Sequence, residues 1–331
     1  MHPVTSEQAT PRRDVLKSAV LAAGGLALTA LPKRLHGGHP PDRPRALALR
    51  VAHMTDLHIQ PEREAVKGVA AALHHVQALH ERPDLILTGG DLIMDSFAQD
   101  EARTKLQWGL LRDTLKNECS IHIEHTLGNH DVWGWHKSKS RTRGDEPLWG
   151  KKWACDQLAL ARPYHSFTRN GWHFICLDSI DHDPANPDGY IGNLGEEQLE
   201  WLARDLAATD SGTPVLVVSH IPILSVTGLL GATEKDTTNY KVSGGLLHTD
   251  SHRIRALFAK HPNVKLCLSG HMHRIDRTDY LGVTYFCNGA VSGNWWKGAH
   301  YECNEGYAVL ELYTDGTFDH RYVPFGWTAR G

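Results

Sequence analysis

An α/β fold is predicted for this chain on three observations. Apolar runs of strand length alternate with stretches of helical period along most of the sequence. Several of those runs stop abruptly at Asp, Asn or His. Near the C-terminus, two alternating segments flank Asp315-Gly316, a hairpin signal. Strand–helix alternation builds open sheets with helices on their faces. Such sheets take ligands beyond the carboxyl ends of their strands.

The elements follow in order. Ala46–His53 reads as a strand. Arg63–His80 carries Val66, Val69, Ala70, Leu73, Val76 and Leu79 at helical spacing. A strand at Asp84–Leu87, a helix at Asp100–Lys116 and a strand at Ile121–Thr126 follow. Trp172–Leu177 is a strand, and the Gly, Pro and Asp of Asp181–Gly192 make a loop. Next come a helix at Glu196–Ala207, a strand at Pro214–Val218 and a helix at Ser251–Ala259. Val264–Leu268 and Val283–Cys287 are strands, and Tyr307–Tyr313 with Thr317–Val323 forms the closing hairpin. No second domain is read.

The first 32 residues are expected to be a targeting signal. Arg12 and Arg13 precede an apolar stretch from Ser18 to Leu31, which Pro32, Lys33 and Arg34 end. A basic segment before a short apolar one is a secretory pattern. It falls short of the ~20 apolar residues that span a bilayer. The paired arginines point to the twin-arginine route, although Val15 stands where such signals often carry Phe. Residues 33–45 then form a linker, and 46–331 form the domain. On this reading the protein is periplasmic or secreted, and the twin-arginine translocase is a partner during export. An uncleaved anchoring helix is the alternative.

Of the 331 residues, 41% are hydrophobic and 22% charged, enough for a sizeable core. A net charge of -3 gives no nucleic-acid footprint, so a small substrate is expected. The six cysteines form no C-x-x-C pair, so a structural zinc site is not expected. Cys176 and Cys267, inside apolar runs, read as buried thiols. No disulfide is assigned.

Five clusters carry the chemistry. They are VAHMTDLH at 51–58, DLILTGGD at 84–91, IHIEHTLGNHD at 121–131, PVLVVSHIPI at 214–223 and SGHMH at 269–273. A buried carboxylate or amide is costly unless partnered. Five such clusters that converge would satisfy one another through metal ions. Glycines at 89, 90, 128 and 270 let the backbone turn tightly before the ligands.

The series Asp-x-His, Gly-Asp, Gly-Asn-His-Asp, His, Gly-His-x-His resembles that of the calcineurin-like metallophosphoesterases, over about Leu47 to Ala290. The branch it resembles most is the cyclic-nucleotide-phosphodiesterase-like one. Met94, three residues after Asp91, stands where purple acid phosphatases place a ligating Tyr, which argues against that subtype. The resemblance implies a four-layer α/β/β/α sandwich of two mixed sheets. It implies two divalent or mixed-valence ions of Mn, Fe or Zn, since the N/O ligand set does not choose among them. Asp91 would bridge, on the reasoning that a carboxylate offers two anionic oxygens. One ion would take Asp56, His58 and His273, the other Asn129, His220 and His271. A hydroxide held between the ions would attack phosphorus in a mono- or diester. His130 would be a catalytic non-ligand that protonates the leaving group, oriented by Asp131. The alternatives are a phosphomonoesterase or protein phosphatase of the same fold, or a non-catalytic metal-binding module. The segment 132–153, with four tryptophans and basic residues that include Lys137, Lys139, Arg141 and Arg143, reads as either a lid over the substrate or a solvated loop. Asn294, Trp295 and Trp296 either wall the pocket or pack in the core.

Overall fold

The computed structural model describes residues 45–230, 239 and 241–329. The expected signal, and all of the expected linker but Arg45, lie outside the described residues. Two mixed sheets face each other. In the first, β1 (Leu47–Met54) is central. It pairs in parallel with β2 (Leu85–Thr88), which pairs in parallel with β3 (His122–Glu124). In the second, four parallel strands run side by side: β5 (Trp172–Leu177), β8 (Val215–Ser219), β9 (Val264–Ser269) and β11 (Val283–Asn288). Antiparallel β4 (His165–Arg169) and β10 (Ile275–Tyr280) close its two edges. A two-stranded ribbon, β6 (Ile180–His182) with β7 (Tyr190–Gly192), stands apart. The hairpin β12 (Gly306–Tyr313) and β13 (Phe318–Pro324) returns antiparallel onto β1.

The central strands are apolar on both faces because both faces are covered. In β8, Leu216 and Val218 meet Val51, Leu87 and Leu310 of the first sheet, while Val215 and Val217 face α5 (Gly195–Ala208) and α7 (Ser251–Phe258). In β1, Leu49 and Val51 point between the sheets, and Ala52 and Met54 face α1 (Ala65–Gln77) and α2 (Glu101–Glu118). These are the four layers. Three short helices, α3 (Lys137–Ser140), α4 (Lys152–Gln157) and α6 (Thr227–Leu230), lie in the connections.

The stripe Ala65, Val69, Ala72, Leu73 and Val76 buries α1. Asp100 starts α2 by accepting the Arg103 N–H at 2.9 Å. Gly68 lies on the buried side of α1, where a Cβ would sit 2.1 Å from the indole of Trp296. Gly68→Ala is therefore expected to destabilise the fold. Ala favours a helix over Gly by ~1 kcal/mol. Overpacking against a fixed ring costs roughly 1–3 kcal/mol, and the closeness of this contact puts it at the upper end. A urea midpoint that rises in the variant contradicts the expectation.

Sequence patterning missed four strands. β4 and β10 are edges whose residues are half-buried or exposed, so no apolar run marks them. The ribbon β6–β7 occupies the segment read as the loop Asp181–Gly192. Its two strands have three residues each, too few to show a period. All six cysteines are free thiols.

Candidate metal centre

The expected ligands lie at or just beyond carboxyl ends of strands. Asp56 and His58 follow β1, Asp91 follows β2 and His220 follows β8. His271 and His273 follow β9, and Asn129 begins a short 3-10 turn through Asp131 that is reached from β3. The loops are stitched together by their backbones. The Asp56 N–H donates to the Gly90 carbonyl at 3.0 Å, the His58 N–H to the Asp91 carbonyl at 3.0 Å, and the Gly270 N–H to the His220 carbonyl at 3.1 Å. Five of the seven residues have left-handed backbone: Asp56, His58, Asp91, His271 and His273, with φ between 43° and 67°.

Of the glycines expected to make tight turns, only Gly90 has positive φ, 90°. Gly128 and Gly270 are required for space. A Cβ on Gly128 would lie 2.1 Å from Asp91 Oδ1, and one on Gly270 would lie 2.1 Å from Asp56 Oδ2.

Two clusters result, Asp56–His58–His273 and Asp91–His220–His271, and a third grouping, His58–Asp91–His130, overlaps both; in each the potential ligand atoms lie within 4.8 Å of one another. In the first, His273 Nε2 lies 3.1 Å from both Asp56 Oδ1 and His58 Nε2. In the second, His220 Nε2 lies 3.3 Å from Asp91 Oδ2 and 3.1 Å from Asn129 Oδ1. Asp91 Oδ2 is also 3.6 Å from His58 Nε2, which ties the clusters together. The expected reason for the bridge needs correcting. Asp91 Oδ1 accepts the His130 N–H at 2.8 Å, so a single oxygen, Oδ2, faces both clusters.

This donor set fits cations. His273 Nδ1 lies 2.5 Å from the Gly293 carbonyl and His220 Nδ1 lies 2.7 Å from the Gly89 carbonyl. A carbonyl only accepts, so each Nδ1 donates and each Nε2 turns a lone pair toward carboxylate oxygens. His271 Nε2 and His58 Nδ1 are buried without a hydrogen-bond partner. The charges agree. Burial alone would raise the Asp56 and Asp91 carboxyls, but imidazoles, chiefly His273 for Asp56 and His220 for Asp91, hold both well below the usual carboxylate range. Burial pushes His58 down to about 4 and His271 down to about 3. For His220, burial pulls down, but the Asp91 carboxylate together with Asp56 and the Gly89 carbonyl raises it to about 9.

Asp131 does not orient His130. Its Oδ1 accepts the N–H groups of Leu92 at 2.9 Å and Ile93 at 3.2 Å, and its Oδ2 accepts that of Gly128 at 2.9 Å. It braces the Asp91 and Asn129 loops instead. Burial and the Asp91 carboxylate push Asp131 up to about 7. The partner of His130 is the Met94 carbonyl, 2.6 Å from Nδ1. That leaves His130 Nε2 facing the centre, 4.0 Å from Asp91 Oδ2. Sequence reasoning missed this carbonyl and those of Gly89 and Gly293, because a backbone group has no residue signature. It also missed Thr55, whose hydroxyl donates to Asp56 Oδ2 at 2.5 Å.

The segment 132–153 is neither wholly solvated nor wholly free. Trp133 and Trp153 are buried edge to face at 4.8 Å. Lys151 holds the Asp178 carboxylate at 2.5 Å. Trp135 and Trp149 are half-buried beside His182. Lys137, Lys139, Arg141 and Arg143 are exposed. Of the pair after β11, Trp296 is core, donating from its indole to the Leu57 and His58 carbonyls at 3.1 Å, and Trp295 lies against the centre.

The calcineurin-like phosphoesterase family model matches residues 49–274. A probable cyclic nucleotide phosphodiesterase of Synechococcus is 29% identical over 82% of this chain and 91% of its own length. A 3′,5′-cyclic-nucleotide phosphodiesterase of Nostoc is 27% identical, with the same coverage of each chain. Among solved structures, a dimetal phosphatase from Danio rerio superposes with a TM-score of 0.54 at 16% identity, covering 81% of this chain and 94% of that one.

Proposed function

Because the chain belongs to the calcineurin-like phosphoesterase family, and is thereby a metal-dependent phosphoester hydrolase, we propose that it hydrolyses small phosphodiesters of the nucleotide kind. The observation that carries this reading is the pair of clusters that Asp91 Oδ2 links, 3.3 Å from His220 and 3.6 Å from His58, with His130 Nε2 beside them. Asp56, His58 and His273 would hold one ion, and Asn129, His220 and His271 the other. When bound, the ions supply a nucleophile from water at neutral pH and neutralise charge on the phosphoryl oxygens. The protein's own parts do the rest. Backbone carbonyls fix the imidazoles, Asp131 braces the loops, and His130 carries a proton at Nε2 to the leaving oxygen. The names of the relatives support a diester over a monoester.

A substrate panel on protein of measured metal content tests the reading. 3′,5′-cyclic AMP and bis(p-nitrophenyl) phosphate should turn over faster than p-nitrophenyl phosphate. Faster hydrolysis of the monoester makes the protein a phosphatase.

Export is proposed on the paired arginines. Outside the cytoplasmic membrane the enzyme would meet nucleotides, other phosphoesters and lipid headgroups. Cyclic AMP therefore serves as a chemical probe, with no physiological assignment attached. Arg12→Lys with Arg13→Lys is expected to trap active, metal-loaded enzyme in the cytoplasm. Fractionation with an activity assay decides it, and normal export of the double variant refutes the route.

A further inference from the structure

Around the centre, most large aromatic side chains are consumed by packing. One group is not. Trp295 lies with its ring 4.6 Å from that of the expected ligand His273 and 6.0 Å from that of His58. His300 stands edge-on to Trp295 at 5.7 Å, and Tyr301 edge-on to His300 at 4.7 Å. Arg274, the residue after His273, lays its guanidinium 4.1 Å over the Tyr301 ring. The four side chains form a continuous arm from a metal-cluster residue to the surface.

Three features distinguish this arm from ordinary surface. Tyr301 is 69% exposed, the highest value among the exposed large hydrophobic side chains of the described residues. Arg274 has no carboxylate within ion-pair distance among the described residues, so its charge is available to a ligand. The backbone is strained where it presents the aromatics, with φ of 49° at Trp295 and 51° at Tyr301, and such strain collects at functional sites. The arm is also held in place. The Asn294 N–H donates to the Gly298 carbonyl at 2.8 Å, and His300 and Cys303 exchange backbone hydrogen bonds at 2.8 and 3.0 Å.

A fixed, exposed ring beside a cation suits a flat, electron-rich group attached to a phosphate. Bases stack on aromatic side chains without regard to sequence, because every base has a π-face. We infer that the Trp295–Tyr301 arm with Arg274 is the subsite for the nucleobase of a nucleotide phosphodiester, an inference that rests on the phosphodiesterase reading above. The base lies on Tyr301, and Arg274 draws the anionic ligand to that side of the centre.

The test compares a substrate with a base and one without. KM for 3′,5′-cyclic AMP and for glycerophosphocholine is measured in the wild type, Tyr301→Ala and Tyr301→Phe, at equal bound metal. In Tyr301→Ala the KM for cyclic AMP should rise roughly tenfold more than that for glycerophosphocholine, the scale of one lost stack. Tyr301→Phe should restore it. Equal changes for both substrates, or no change for either, overturn the subsite. If the wild type hydrolyses neither diester, the phosphodiesterase reading fails on its own. Binding of 5′-AMP against inorganic phosphate, read by tryptophan fluorescence, then decides the arm. A preference for 5′-AMP lost in Tyr301→Ala upholds it, and no preference in the wild type overturns it.

Discussion

Asp91→Asn should leave a protein that folds, binds fewer than two metal ions and has lost nearly all of its turnover. Oδ2 of Asp91 lies 3.6 Å from His58 and 3.3 Å from His220, so it is placed against both clusters. An amide offers there either a neutral oxygen or an N–H donor, and neither replaces an anion between two cations. Outer residues of metal sites typically cost 10–100-fold when removed, and loss of the shared ligand should exceed roughly a hundredfold. The side chain's other role is partly kept, because an amide oxygen can still accept the His130 N–H. Metal analysis beside the rate checks the assignment. Two ions per chain and an unchanged rate in the variant would remove Asp91 from its role.

His130→Ala separates catalysis from binding. The His130 ring is anchored at Nδ1 by the Met94 carbonyl, and its Nε2, grouped with His58 and Asp91, lies beside the shared oxygen. Both ions should stay bound. Turnover should fall by roughly 10²–10⁴, the usual value of a lost general acid. A p-nitrophenolate leaving group needs little protonation, so the loss on bis(p-nitrophenyl) phosphate should be smaller than on cyclic AMP. If the variant loses an ion instead, His130 is a ligand. If both substrates slow equally, its role is to position the phosphoryl group.

How much was legible in the sequence depended on whether a residue's environment leaves a mark on its neighbours. Strands β5, β8 and β9 were readable because burial on both faces makes most of each run apolar. The seven expected ligands were readable because each sits in a short motif at a strand end, and the structure brings all seven to one place. Edge strand β10, reading IDRTDY, pairs along one side only and was invisible as a strand. The role of Asp131 was misjudged for a different reason. Adjacency to His130 suggested a carboxylate–imidazole pair, but the tight 3-10 turn points the two side chains apart, and backbone amides claimed the carboxylate. The tryptophans of 132–153 divided between core and surface according to tertiary packing that no local pattern encodes.

The left-handed backbone at five of the seven expected ligands bears on how such a centre can evolve. Each non-glycine residue held there costs about 1 kcal/mol or more. Asp and His enter this region more readily than most residues, so ligand chemistry and backbone tolerance select the same side chains. A substitution by glycine at His58, His271 or His273 would relax the chain while emptying the centre. Selection for stability alone therefore favours erosion of the metal site. A lineage released from its substrate would be expected to drift toward a more robust fold without catalysis.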